Sequence, residues 1–557
     1  MLIARLCILS GALMLSMSAI AQQNLPDAGG QLQQIRPGPS IEPPPPEFRF
    51  QERSAPEAPA PSDVRLLVNS LHVTGHTLFT EDELLAATQF VPGRELSLAD
   101  LQVLAARISA YYQERGFFVA QAYIPAQEIV DGAVTIAVLE GHFGDITLRN
   151  ESGLSDRRVR TILDGLESGD TIALQPLERR LLLLSDIPGV VVSSTLAPGA
   201  AVGESDLIVS VTPGRRVTGS VEADNAGSYY TGQNRIGGTI NFNNVTGNGD
   251  VASLRGLTSG SGMQYGRATY QIPLGKGNVG ISYTALDYEL GKELSVLDAH
   301  GTARIVGLYG SYPLIRSRNT NLYLLGGYDD KRFDDRVDAT STITERKVRV
   351  GNLGVAGNHR DHLGAGGWTS YSVIGYSGDV DIITPEALAF DQQTARTDGG
   401  FSKIQYELAR TQSLTETVSF LASINGQFAS GNLDSSEKIG MGGPYAVRGY
   451  PVGEGFMDEA HIVHLELRKR LRLFDASHGQ LHVLGFYDYG RGTINKDPWT
   501  DEDNHRNLRG AGAGLIWEDY GNYRLSVTYA ERLGSEPVTS IPDNPSGQWW
   551  LHGIKYF

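Results

Sequence analysis

The sequence predicts a transmembrane β-barrel of about sixteen antiparallel strands, preceded by two small α+β units and a short helix on a linker. Three observations carry this expectation. From Val217 to Phe557 the chain consists of segments of about ten residues that alternate apolar and polar side chains, separated by Gly, Asn and Asp turns. After residue 21 there is no run of about eighteen apolar residues, so a membrane crossing would have to be made by strands closed on themselves. Between these regions, residues 64–213 show strand and helix periodicities in the same order twice.

Residues 1–21 have the form of a secretory signal peptide. Arg5 supplies positive charge, an apolar run extends to about Ile20, and Ala19-Ile20-Ala21 is a small-residue cleavage site. The apolar run is short for a bilayer anchor. Cys7 is the only cysteine, so a mature chain starting near Gln22 would hold neither an internal disulfide nor a thiolate metal site. Residues 22–62 read as a linker, in which Pro43, Pro44, Pro45 and Pro46 enforce extended polyproline geometry. Inside it, Asp27–Ile35 has the pattern of a short helix with Leu32 and Ile35 on one face. A helix of that length needs a surface to lie on.

The first α/β unit covers 64–141. Leu71-His72-Val73 is a strand, Thr80-Glu81-Asp82-Glu83 a capping box, and Ser97 the cap of a second helix with Leu101, Leu104, Ile108 and Tyr111 at helical spacing. Strands over Phe117–Ile124 and Ala133–Leu139 follow, joined through the turn Asp131-Gly132. The second unit, 142–213, repeats the order: a strand at Ile146 and Leu148, helices near Asp156–Leu163 and Pro176–Ser185, then strands Val190–Leu196 and Asp206–Val211. Both units are of the type β-α-α-β-β.

The barrel signal is clearest at Tyr523–Ala530, where Tyr523, Leu525, Val527 and Tyr529 share one face, and at Ile462–Leu471, where Val463, Leu465 and Leu467 oppose His464, Glu466 and Arg468. At about twenty residues per strand and connection, 217–557 holds sixteen or seventeen strands, and single-chain bacterial barrels take even numbers. The 66 glycines and 24 tyrosines suit strands and tight turns. Trp549, Trp550, Tyr556 and Phe557 suit an interfacial aromatic girdle. The formal net charge of -16 speaks against nucleic-acid binding.

Four motifs then stand in order. Gly442-Gly443-Pro444-Tyr445-Ala446-Val447-Arg448-Gly449-Tyr450-Pro451 resembles a long extracellular loop whose hallmark is Val-Arg-Gly-Tyr. Phe486-Tyr487-Asp488-Tyr489-Gly490 resembles a Phe-x-Asp-x-Gly barrel strand. Asp224–Gly232 resembles a first barrel hairpin, and Tyr312-Pro313-Leu314-Ile315-Arg316-Ser317-Arg318 a family turn. With the domain order, this set resembles the two-partner secretion transporters, the TpsB proteins of the haemolysin, filamentous-haemagglutinin and contact-dependent-inhibition type, whose small units are called POTRA domains.

The resemblance implies an outer-membrane protein of a Gram-negative bacterium with POTRA 1 (64–141) and POTRA 2 (142–213) in the periplasm. A long loop around 431–460 would fold back into the barrel, where Arg448 pairs with Asp488, and the Asp27–Ile35 helix would plug the lumen. Val447, Gly449 and Tyr450 would belong to the loop motif, and Phe486 and Gly490 to the wall motif. Gly553 and Phe557 fit a C-terminal signal read by the barrel-assembly machinery, although Lys555 stands where an apolar residue is expected. The partner would be a secreted, unfolded exoprotein: an adhesin, a cytolysin or a contact-dependent toxin. A closed barrel in outer-membrane lipid is expected to be a monomer, without cofactor or metal. The competing reading within the superfamily is a barrel-assembly insertase, which carries more POTRA domains than 64–213 can hold.

No Walker motif, Gly-x-Ser-x-Gly elbow or His-Glu-x-x-His pattern occurs, so neither an ATPase nor another enzyme is expected. Gly275–Gly280 matches G-x-G-x-x-G but precedes a strand, which makes it a hairpin turn. His359, Asp361 and His362 read as a barrel connection, and Asp501, Glu502 and Asp503 as an exposed acidic loop.

Overall fold

The computed structural model describes residues 25–35, 47–50, 64–472 and 479–557. The expected signal peptide and most of the linker lie outside the described residues. Sixteen antiparallel strands close into a barrel, each paired with its neighbours in sequence and the last with the first. They are β1 (Val217–Asp224), β2 (Arg235–Asn243), β3 (Val251–Thr258), β4 (Met263–Leu274), β5 (Gly277–Glu289), β6 (Ala299–Arg316), β7 (Thr320–Val337) and β8 (Thr342–Asp361). There follow β9 (Gly367–Ile382), β10 (Gly399–Ser413), β11 (Val418–Ala429), β12 (Glu459–Leu471), β13 (Gln480–Thr493), β14 (His505–Asp519), β15 (Tyr523–Arg532) and β16 (Gly547–Tyr556).

Closure gives every strand two neighbours, so no edge is left to lipid. The seam is short. β1 and β16 pair over five residues, from Ser220↔Tyr556 to Asp224↔His552, and Phe557 exchanges two backbone hydrogen bonds with Gly219 at 3.0 Å below them. Gly553 faces Ala223 within this seam. Leu465, Leu467, Leu525 and Val527 stand on the outer wall, as their alternation requires, while Glu466 is buried inside. Lys555 is exposed and reaches Asn522, so its ammonium sits at the rim rather than among acyl chains. Gly275 and Lys276 form the two-residue β4–β5 turn, with Gly275 at φ +58°.

In the first α/β unit, Ser70–Thr74, Ala133–Leu139 and Gln121–Tyr123 form a three-stranded sheet. Helices α2 (Glu81–Thr88) and α3 (Leu98–Glu114) pack on it through Leu84, Leu101, Ile108 and Tyr112. Both helices start on capping boxes, Thr80/Glu83 and Ser97/Asp100. Asp131 and Gly132 both take left-handed geometry in the turn before Ala133. The expected strand Phe117–Ile124 is shorter, because Phe117 folds back: its N–H bonds Tyr112 O at 3.0 Å and its ring meets Phe79 edge-on. A separate two-stranded antiparallel sheet, Arg65–Val68 with Arg94–Ser97, was not foreseen.

The second unit sets Val190–Pro198, Glu204–Pro213 and His142–Asn150 in one sheet, covered by α4 (Asp156–Leu163) and α5 (Leu174–Ser185). A fourth strand comes from the linker: Glu47–Phe50 pairs in parallel with Ser193–Leu196. This unit rests on the periplasmic turns of the barrel. Arg316 makes a bidentate pair with Asp186, both bonds at 2.7 Å, and Arg318 reaches Glu178 at 2.9 Å. Arg158 donates to Gly275 O at 2.7 Å. A register shift at Pro313, which has no N–H to give, precedes Arg316 in β6.

Candidate functional site: the loop and helix inside the barrel

Two elements fill the lumen. The connection between β11 and β12, residues 430–458, folds inward, and helix α1 (Ala28–Gln33) lies beside its first turn.

The sequence motifs meet where the loop touches β13. Phe486, Asp488 and Gly490 alternate on one face of that strand; the first two meet Arg448 of the loop and the third meets Val447. The Arg448 guanidinium lies over the Phe486 ring at 3.4 Å. It makes two parallel bonds to Asp488, Nε to Oδ2 and Nη2 to Oδ1, both at 2.8 Å, and a third from Nη1 to Glu466 Oε2 at 2.7 Å. Asp488 is fully buried and also accepts from the Arg448 N–H at 3.1 Å and pairs with His464 at 2.9 Å. Gly490 leaves room for Val447: a Cβ there would come within 2.9 Å of Val447 Cγ2. Gly449 runs against β15, where a Cβ would meet Arg532 Cα at 3.1 Å. Tyr450 is fully buried and its hydroxyl reaches Glu536 O at 3.2 Å. Trp550 on β16 donates to Arg448 O at 2.8 Å. A planar fork with five donors can serve two carboxylates and a ring together; a lysine cannot.

The helix is held by charge as well as by apolar contact. Asp27 caps it, accepting from Gly30 N at 2.8 Å, while its other oxygen pairs with Arg346 at 2.7 Å and accepts from Ser435 Oγ at 2.5 Å. Arg346 on β8 also binds Asp335 of the wall at 2.9 Å and Asp434 of the loop at 2.7 Å. Ala28 N donates to Asp335 at 2.9 Å, and Gln31 accepts from Thr231 in the first hairpin at 2.9 Å. Leu25, Leu32 and Ile35 pack on an apolar patch that includes Leu286, Phe333 and Leu433. A six-residue helix that is marginal alone is thereby fixed at both its cap and its face. The loop has a further anchor at Glu437, which pairs with Lys331 at 2.6 Å and Lys403 at 2.8 Å.

The structure thus brings Val447, Arg448, Gly449, Tyr450, Phe486, Asp488 and Gly490 together, and sets Gly553 and Phe557 apart at the seam. Sequence reasoning did not single out Arg346, Asp335, Asp434, Glu437 or the Arg316–Asp186 pair. Asp361, read from the sequence as part of a barrel connection, ends β8 and pairs with Arg410 at 2.8 Å.

A closed sixteen-stranded barrel with a loop and a helix held inside it and α/β units beside it is the architecture of an outer-membrane β-barrel protein. The family described as haemolysin secretion/activation protein ShlB/FhaC/HecB matches residues 203–516, and the POTRA domain of ShlB type matches residues 66–141. The chain belongs to this family, the TpsB transporters of two-partner secretion, which reside in the outer membrane with periplasmic POTRA domains and work with a secreted exoprotein. The heme/hemopexin transporter protein HuxB of Haemophilus influenzae is 31% identical over 483 residues, 86% of this chain and 84% of the relative. The outer membrane transporter CdiB of Dickeya dadantii is 24% identical over 386 residues, 67% of each. The solved structure of CdiB from Escherichia coli, 21% identical, has the same fold, with a TM-score of 0.67 over 98% of both chains.

Proposed function

We propose that the chain exports one specific unfolded exoprotein, docked on its two periplasmic units and threaded through its barrel without nucleotide hydrolysis. In this reading Arg448 and Asp488 form a latch that holds loop 431–460 inside the lumen at rest, α1 is the plug, and Gly553 and Phe557 serve recognition by the barrel-assembly machinery. The observation that carries the reading is that both elements filling the lumen are held by charge-assisted bonds, through Arg346 and Arg448. Such contacts are strong when made yet have polar alternatives when broken, which suits a closure meant to be released.

The pairing of Glu47–Phe50 with Ser193–Leu196 supports strand addition as the docking mode, because that edge accepts an extended segment. The client is an adhesin, a cytolysin or a contact-dependent toxin. A haem-acquisition exoprotein joins this set through the name of the Haemophilus influenzae relative. The test is secretion of a candidate exoprotein co-expressed with the full chain or with residues 64–213 deleted. Exoprotein in the medium only with the full chain, with other outer-membrane barrels at normal levels, is the expected result. Depletion of many barrels when the chain is lost would replace export by insertase activity.

A further inference from the structure

Six residues beyond Arg448 the same loop buries a charge of opposite sign that belongs to none of the anchors described above. Glu454 is fully buried, between Gly453 and Gly455, both in left-handed geometry at φ +88° and +64°. Its carboxylate accepts from the Thr539 N–H at 3.0 Å and hydroxyl at 2.8 Å, and from the Ser540 N–H at 3.0 Å and hydroxyl at 2.7 Å. Arg506 Nη2 on β14 completes the shell at 2.9 Å. Arg506 also pairs with Glu536 and donates to Pro537 O at 2.8 Å and Thr539 Oγ1 at 3.0 Å. Every one of these residues except Arg506 and Glu454 belongs to the connection between β15 and β16, residues 533–546. Val538 from that connection packs among Met441, Ala446, Val447 and Tyr450 of the loop.

A buried carboxylate is costly unless its oxygens are satisfied. Here one side chain takes donors from two consecutive residues of a surface connection and from the wall beneath it. It shares no bond with Arg448, Asp488 or Glu466. Besides its anchors through Asp434 and Glu437 near its start, the loop therefore has two separate ionic attachments around its motif: Arg448 sits on wall carboxylates of β12 and β13, and Glu454 sits on Arg506 and the last connection. A segment held at several points opens only when each of them releases.

We propose that Glu454 is a second latch, which fastens the connection 533–546 over loop 431–460 as a cap. The proposal rests on reading that loop as the closure of an export conduit, and Glu454 acts as a positioning residue in it. The signal lies just outside the motif that marks the family resemblance, in Val452-Gly453-Glu454.

The test uses the full chain in intact cells without any client. Cys7 is the only native cysteine and lies in the expected leader, so Val538→Cys supplies a single reporter beneath the cap. Labelling by a membrane-impermeant maleimide should be slow in the parent and about tenfold faster with Glu454→Gln, which removes the charge while keeping the shape. The pair Thr539→Ala, Ser540→Ala should give a smaller increase, since both N–H donors remain. Barrel folding is checked by heat-modifiable migration. Labelling within twofold of the parent in a folded Glu454→Gln barrel would overturn the proposal. If that variant does not fold, the same criterion applied to the hydroxyl-deleted pair decides. Absence of client from the medium would defeat the export reading but leaves this result standing, because no client takes part in it.

Discussion

Replacing Arg448 by alanine removes a guanidinium but leaves buried what it neutralised. Three charge-assisted bonds at 2.8, 2.8 and 2.7 Å disappear, with the contact over the Phe486 ring at 3.4 Å. Asp488 keeps His464 at 2.9 Å, and Glu466 keeps Arg468 at 2.5 Å. Removing one partner of a buried ion pair costs about 3–5 kcal/mol, and the surviving partners put this site near the lower end. A loss of about 3 kcal/mol weakens the closed state by roughly a hundredfold. The assay is proteolysis of loop 431–460 from outside intact cells, which follows the open population when closing is faster than cleavage. Cleavage should accelerate by about two orders of magnitude while the barrel still inserts, and client export should fall. Arg448→Lys, which keeps the charge without the parallel pair, should lie between. Cleavage within twofold of the parent, or normal secretion by Arg448→Ala, would refute the latch.

Two further predictions concern the periplasmic units. Glu140 joins Thr77, Leu78 and Tyr112 at the end of the first sheet; it accepts from the Leu78 N–H at 2.9 Å, from the Tyr112 hydroxyl at 2.8 Å, and from the Thr77 N–H and hydroxyl. Burial alone pushes its carboxyl up, but the Thr77, Leu78 and Tyr112 donors outweigh burial and hold it below the usual carboxylate range. Burial and the neighbouring carboxylate push the Tyr112 hydroxyl up, so it remains a donor at neutral pH. Because the folded value is depressed, this contribution is present above the unfolded value of about 4.3 and is lost as pH falls through the folded one. Glu140→Gln should therefore lower the melting point of this unit at pH 7 and flatten its pH dependence between pH 5 and pH 3; an unchanged acid profile would remove Glu140 as its cause. Arg316→Ala should loosen the second unit on the barrel, which Arg318 and Arg158 still hold, at a cost of about 1–2 kcal/mol, because the pair with Asp186 is bidentate but partly exposed. Limited proteolysis between residues 213 and 217 checks this, and protection equal to the parent would count against the docking role.

Strands, turns and capping boxes were legible because each rests on local chemistry. The alternation at Tyr523–Ala530 fixes which face meets lipid, and Thr80 with Glu83 fixes where α2 begins. The Arg448–Asp488 pair was legible only through resemblance, since the two residues lie forty positions apart and no local rule pairs them. Arg346, Lys331 and Glu437 were not legible at all. Inward-facing charges on a barrel wall look alike in sequence, and which ones meet depends on strand stagger and on where the loop returns. Glu47–Phe50 was hidden for a different reason. Its neighbours Pro43–Pro46 suggest solvated extended chain, and only an available sheet edge makes it a strand.

On the proposed reading of α1 as a plug and of loop 431–460 as a closure, Arg346 couples the two. It binds Asp27 of one and Asp434 of the other, and Ser435 touches the plug directly. By thermodynamic reciprocity, whatever favours plug departure when the loop moves must favour loop movement by the same amount when the plug leaves. Two closures sharing one cation therefore open as a cooperative pair, with fewer half-open states than two independent closures would allow. In the proposed export function, such coupling would keep the outer membrane tight between rare events of export.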